Sequence, residues 1–225
     1  MPTSFIIAAM QADKTPYKLI AAIAAVAAMA FFAGLFLSLV NRDAVEQPAV
    51  AGLLWPNPPL VAEFSLTNQQ GKEFTRENLK GRWSFMFFGF THCPDVCPTS
   101  LQTLTGVKKM LATNKTYADS GQIVFVSVDP DRDDSDTLSQ YLAYFDDEII
   151  GITGSNEQLK NLSKPLGILF GKIPTKNSYT MDHSAAILLI DPQGRLLGLF
   201  SLPHEPGKIS ESFEKISEFY ARQAS

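Results

Sequence analysis

Two cysteines occur in the 225-residue chain, four positions apart in Phe90-Thr91-His92-Cys93-Pro94-Asp95-Val96-Cys97-Pro98. As thiolates, such a pair can bind a soft metal ion or exchange with a disulfide. A bridge closing so small a loop constrains the unfolded chain little, so a purely structural disulfide explains the pair poorly. Each cysteine precedes a proline, which disfavours the helical conformation, whereas Pro98 itself suits the first position of a helix. Cys97 is therefore expected to cap a helix. There the positive end of the helix dipole lowers a thiol pKa and favours the thiolate.

Two soft ligands seldom complete a site, and the chain offers three histidines. His92, next to Cys93 in an extended segment, would point the other way. His204 falls in a Leu-Pro-His-Glu-Pro loop. His183, in Tyr179-Thr180-Met181-Asp182-His183-Ser184 just ahead of an apolar run, is the remaining candidate. Spacing alone makes it an ordinary histidine, and only a thioredoxin-like order, in which that loop faces the cysteines, makes it the expected third ligand. Two thiolates and an imidazole suit copper or zinc. Structural zinc usually takes four protein ligands, and no fourth Cys or His has a clear claim here, so copper, as Cu(I) or Cu(II), is the expected ion. The carboxylates of Asp129-Pro130-Asp131-Arg132-Asp133-Asp134 invite a calcium reading. A calcium-binding helix–loop–helix needs Gly sixth and Glu twelfth, where this chain has Asp134 and Gln140, so that reading fails. The run reads instead as a solvated turn and helix N-terminus, where carboxylates suit the dipole.

These residues need elements to position them. Three short apolar runs, Trp83 to Phe90, Ile123 to Val128 and Ala185 to Ile190, read as buried central strands. Between the first two, Pro98 to Leu111 places Leu101, Leu104, Val107 and Leu111 at helical spacing, the crossover helix of a parallel βαβ unit. The cysteines then sit at the carboxyl end of a parallel strand beside a helix N-terminus, where ligands bind in open α/β sheets. Glu63 to Thr67 and Lys72 to Phe74 flank Asn68-Gln69-Gln70-Gly71 as an opening hairpin. Helices are expected at Asp136 to Phe145 and Asn156 to Leu162. A turn at Asp191-Pro192-Gln193-Gly194 joins the third strand antiparallel to Leu196 to Phe200, and Ile209 to Tyr220 closes the chain as an amphipathic helix. This order resembles an α/β thioredoxin-like fold with an N-terminal hairpin and a mid-domain insertion. In that fold the loop holding His183 faces the helix that follows the cysteines.

Residues 19–40 are uncharged and long enough to span a bilayer core as a helix. A cleaved signal peptide, the rival reading with a cut near Ala44, has an apolar region of only about 7–15 residues. Lys14 and Lys18 precede the span, whereas Arg42 is offset by Asp43 and Glu46. The positive-inside rule therefore puts an N-terminal tail, 1–18, in the cytoplasm and the rest in the periplasm or an equivalent space. Pro48, Pro56, Pro58 and Pro59 mark 41–62 as a semi-rigid linker, leaving one domain over 63–225. A net charge of -4 with no Lys/Arg-rich stretch gives nucleic acid no electrostatic footprint.

Gly89 to Pro98, Val126-Ser127-Val128-Asp129-Pro130-Asp131-Arg132-Asp133 and Asp182-His183-Ser184 together resemble the Sco/SenC proteins, over about residues 60–222. The resemblance implies copper held by Cys93, Cys97 and His183, with Asp182 and Asp129 close to the site. It also implies a role in assembling the dinuclear copper centre of cytochrome c oxidase subunit II. On that reading the protein is a carrier, not an enzyme: a reduced pair takes copper and releases it by ligand exchange to a partner's cysteines. The alternative is a membrane-anchored thiol-disulfide oxidoreductase in which one of Cys93 and Cys97 attacks a disulfide and the other resolves it. Three intervening residues rather than two, and the facing histidine, count against it. A peroxidase would need a lone activated thiolate beside an arginine, which the pattern does not single out.

Overall fold

Strand β4 (Trp83–Gly89) is buried at every residue, which explains why its sequence shows a continuous apolar run rather than alternation. In the computed structural model, which describes residues 15–40 and 48–223, it lies at the middle of the main sheet. Strand β5 (Gly121–Ser127) pairs with it in parallel, and β9 (Ile187–Ile190) pairs antiparallel on the other side. The remaining strands are β1 (Leu53–Leu54), β2 (Ser65–Asn68), β3 (Glu73–Thr75), β6 (Ile150–Thr153) and β10 (Leu196–Phe200). They complete the order β1-β10-β9-β4-β5-β6-β2-β3.

The crossover between β4 and β5 is α2 (Val96–Met110), followed by a short 3-10 turn and α3 (Lys115–Ser120). Helices α4 (Ser135–Ala143) and α5 (Asn156–Ser163) follow β5 and β6, and α6 (Pro206–Gln223) ends the chain. Phe213 of α6 sits edge-on to Trp83 at 5.3 Å and lies 5.7 Å from Phe85, so the closing helix is fastened to the central strand by aromatic packing. Tyr141 of α4 meets Phe125 of β5 at 5.9 Å. The opening hairpin, the turn before β10 and the apolar helix faces stand as the sequence pattern predicts.

Three differences from the sequence reading matter. Tyr179 to His183 is no loop but strand β8 (Tyr179–His183), paired antiparallel with β7 (Phe170–Pro174) in a separate two-stranded sheet. Strand β7 is largely exposed and contains Gly171 and Pro174, and β8 is mostly half-buried, so the hairpin carries no alternating pattern. Strand β6, four residues with a glycine, was too short to register against its neighbours, although it fills the gap between β5 and β2. The proline-rich stretch docks rather than spacing freely, since Leu53 and Leu54 pair with β10 and the Ala51 amide donates to Ser212 Oγ at 2.9 Å.

The N-terminal helix α1 (Thr15–Val40) forms a unit by itself, separate from the compact unit over 47–225. Within it, 19 residues from Leu19 to Leu37 are long and apolar enough to cross a membrane, spanning roughly 28 Å at 1.5 Å per residue. Most of the N-terminal tail, and the Arg42, Asp43 and Glu46 charges and Ala44 cleavage point used above, lie outside the described residues.

Candidate metal centre

Strand β4 ends at Gly89, and the chain then turns through Thr91 and His92 to the cysteines. Helix α2 begins at Val96 with Asp95 as its cap, so Cys97 lies inside the first turn instead of capping it. Pro98 is tolerated there because the first turn's amides have no intrahelical partner to lose. The Asp95 side chain makes no capping bond. Cys93 Sγ takes that role, accepting from the Cys97 amide at 3.4 Å, so the helix start itself aims the first sulfur at the second. Cys97 is fully buried, and a Cβ added at Gly89 would meet its Sγ at 2.8 Å, so the strand end must be glycine for the sulfur to fit.

His183, at the last position of β8, brings its Nε2 to 3.5 Å from Cys97 Sγ across 86 residues of sequence. Its ring stands edge-on to Phe87 at 6.1 Å and Phe90 at 5.8 Å, two residues the sequence reading assigned only to the core. His183 Nδ1 lies 3.1 Å from the Ser184 carbonyl oxygen. A carbonyl can only accept, so Nδ1 carries a proton, and Nε2 is the ring nitrogen that faces the sulfurs. The donor atoms of Cys93, Cys97 and His183 all lie within 4.8 Å of one another, and both cysteines are free. Cys93 and His183 are half-buried, leaving the cluster open on one side.

The two thiols are unlike. The Cys97 thiol donates to Cys93, and this bond, aided by His183 and by the Asp95 and Cys97 amides, outweighs burial and holds Cys93 down at about 3. The same bond, together with burial, pushes Cys97 far above an ordinary thiol. The reduced pair therefore keeps one proton between a Cys93 thiolate and a Cys97 thiol. The second proton leaves readily only when a cation replaces it. Two sulfurs and an imidazole nitrogen fit a soft or borderline cation, and the donor set holds no carboxylate.

The other sequence candidates fall outside this cluster. His92 has its Nδ1 3.0 Å from Thr91 Oγ1 and is half-exposed. His204 bridges Ser100 Oγ at 3.0 Å and the Phe200 carbonyl at 3.2 Å, and burial lowers its pKa despite the carbonyl's opposing pull. Asp182 is exposed and does not join the donor atoms. Asp129 does not reach them either; its carboxylate pairs with Arg132 and accepts from the Tyr179 hydroxyl at 2.8 Å. The solvated-turn reading of this run is corrected in part. Asp134 does cap α4 through the Thr137 amide at 2.8 Å, but Asp129 and Asp133 are fully buried. Buried carboxylates need several donors; Arg132 and Ser127 supply some from nearby, but Tyr179 and Thr91 lie far off in sequence, where no local signal could show them.

A central parallel strand ending in a dithiol, crossed by a histidine from the segment ahead of β9, defines a thioredoxin-like protein with a two-sulfur, one-imidazole centre. Within that class the chain belongs to the SCO1/SenC family, whose model matches residues 55–218. A relative from Stutzerimonas stutzeri, named for copper binding, is 38% identical over 167 residues, 73% of this chain and 79% of its own. Among solved structures, ScoI of Arabidopsis thaliana with copper bound superposes with a TM-score of 0.66 at 30% identity, covering 71% of this chain and 99% of that one. Copper-bound ScoI of Bradyrhizobium japonicum gives 0.61 at 37% identity, covering 72% and 98%.

Proposed function

We propose that this chain is a membrane-anchored copper carrier that holds its ion on Cys93, Cys97 and His183 and hands it on during assembly of cytochrome c oxidase. The observation that carries the reading is the convergence of two sulfurs and one imidazole within 4.8 Å at an open end of the sheet. Copper in the two related ScoI structures supports the choice of ion, and the Sco family is one of cytochrome c oxidase assembly proteins.

Each donor has a distinct part. Cys93, already a thiolate and half-exposed, makes the first contact with an incoming cation. Cys97 then gives up the shared proton and adds the second sulfur, and His183 adds Nε2 as the third donor. Release reverses this order, with a partner's cysteines displacing the exposed donors first while buried Cys97 lets go last and regains its proton. The acceptor we assign is the dinuclear copper centre of oxidase subunit II. We place the domain on the periplasmic or equivalent face, from the charge balance around α1.

Copper loading of the reduced full chain in detergent, against Cys93→Ala, Cys97→Ala and His183→Ala, tests the reading. Stoichiometric copper with a sulfur-to-copper charge-transfer band, weakened or lost in each variant, is expected. A wild type that takes up no copper yet reduces protein disulfides, with His183→Ala equally active, would establish the oxidoreductase instead. The depressed Cys93 thiolate is the observation that favours that second reading.

A further inference from the structure

The metal centre is assembled from two separately mounted halves. The sulfurs ride on the β4–α2 junction of the main sheet, whereas His183 belongs to the β7–β8 hairpin, which makes no strand pairing with that sheet. Strand pairing with β4 reaches back only to Ile187, four residues after His183, so the hairpin itself is held by other contacts. The segment Asp129 to Asp133, after β5, touches both halves.

On the imidazole side, Asp129 is fully buried and holds Arg132 through Nε, and it accepts from Tyr179 Oη at 2.8 Å. Arg132 Nη1 donates to the Tyr179 carbonyl at 3.2 Å, and its guanidinium lies 4.0 Å over the Tyr179 ring. Tyr179 opens β8, the strand that ends at His183. Asp131 adds an ion pair to Lys172 of β7. On the sulfur side, Asp133 is fully buried and accepts from the Thr91 amide at 2.9 Å and the Thr91 hydroxyl at 2.6 Å, two residues before Cys93. The Val128 amide donates to the Gly89 carbonyl at 2.9 Å, tying the start of the same turn to the end of β4.

We infer that this turn is a bracket setting the spacing of the metal centre, with Asp129, Arg132 and Tyr179 as positioning residues for His183, and Asp133 with Thr91 for the cysteine loop. None of these side chains is placed on the ion. Arginine is required at 132 because the bracket uses two nitrogens in fixed relation, Nε to the carboxylate and Nη1 to the carbonyl, and a lysine has one. Outer partners of this kind hold a ligand's orientation, and losing one typically weakens metal binding about 10–100-fold.

The inference rests on Cys93, Cys97 and His183 being the ligands, and the test separates the two. The reduced full chain in detergent is loaded with Cu(II), and two signals are read: the sulfur-to-copper charge-transfer band and the nitrogen coupling of the bound imidazole in electron paramagnetic resonance. His183→Ala serves as reference. Tyr179→Phe, which keeps the ring and removes only the hydroxyl, and Arg132→Lys are expected to weaken copper binding about tenfold and to reduce the nitrogen coupling while the sulfur band persists. Asp133→Asn is expected to shift the sulfur band and leave the nitrogen coupling. In the copper-free Tyr179→Phe chain, the β7–β8 amides should exchange hydrogen faster than in wild type while β4 and β5 stay protected. Both signals unchanged in Tyr179→Phe and Arg132→Lys, or both lost together in step with thermal unfolding, would overturn the bracket. Wild-type nitrogen coupling in His183→Ala would overturn the ligand assignment instead.

Discussion

At the scale of single residues, the centre depends on one absent side chain as much as on three present ones. Gly89 lets Cys97 Sγ and the Phe125 ring approach the end of β4, each at 2.8 Å from where a Cβ would stand. Both neighbours are fully buried and cannot swing aside. Gly89→Ala is thus expected to cost about 1–3 kcal/mol in stability through overpacking and to weaken copper binding by displacing the buried sulfur. Urea unfolding and a copper titration on the same variant check both parts; a normal copper affinity would show that Cys97 tolerates the shift. Of the other two histidines, neither needs to be a ligand to be explained. His204 clasps α2 through Ser100 and the end of β10 through the Phe200 carbonyl.

Among elements, α2 carries Cys97 at its start and is held near its far end. Lys108 binds Asp146 at 2.6 Å and Glu148 at 2.6 Å, fastening the helix to the segment between α4 and β6. Burial alone would raise the Asp146 carboxyl, but its bond to Lys108, the Glu148 amide and the attraction of Lys108 and Lys109 together leave it below the usual range. A carboxylate whose folded pKa is depressed adds stability above its unfolded value, about 4, and loses it as pH falls through the depressed value. Lys108→Ala is therefore expected to cost about 0.5–1 kcal/mol at pH 7, discounted because the lysine is 29% exposed, and much less at pH 2. Urea midpoints at the two pH values measure this, and an equal loss at both would assign the effect to packing of the lysine stem instead. The β7–β8 hairpin is the opposite case. It is held to the rest of the domain by side chains rather than by strand pairing, which suits an element that must deliver one imidazole.

For the whole molecule, α1 and the unit over 47–225 are separate, and the three donor atoms all belong to the second. Removing residues 1–46 is expected to leave a folded, water-soluble domain with the copper stoichiometry and spectrum of the full chain. The measurement is the same loading experiment with and without detergent. A truncated chain that aggregates or loads poorly would assign the N-terminal unit a part in folding beyond anchorage. The docked segment from Ala51 to Leu54 marks where such a cut must stop, since its pairing with β10 belongs to the sheet.

The sequence by itself determined the parts whose signals are local. Continuous apolar runs identified β4, β5 and β9 because strands buried on both faces have no polar side to show. Cys93-Pro94-Asp95-Val96-Cys97-Pro98 announced a dithiol at a strand-to-helix junction, and an apolar stretch of 22 residues announced α1. It also raised His183, but only through resemblance to a fold, since nothing near residue 183 specifies residues 93 and 97. Tertiary structure decided the rest. It chose which cysteine is the thiolate, because that depends on a hydrogen bond and on unequal burial. It turned two carboxylates of an apparently solvated run inward, because Tyr179 and Thr91, 50 and 42 residues away, add their donors to those of nearby Arg132 and Ser127. Local patterns record what a residue prefers, whereas only the folded chain fixes which distant groups satisfy that preference.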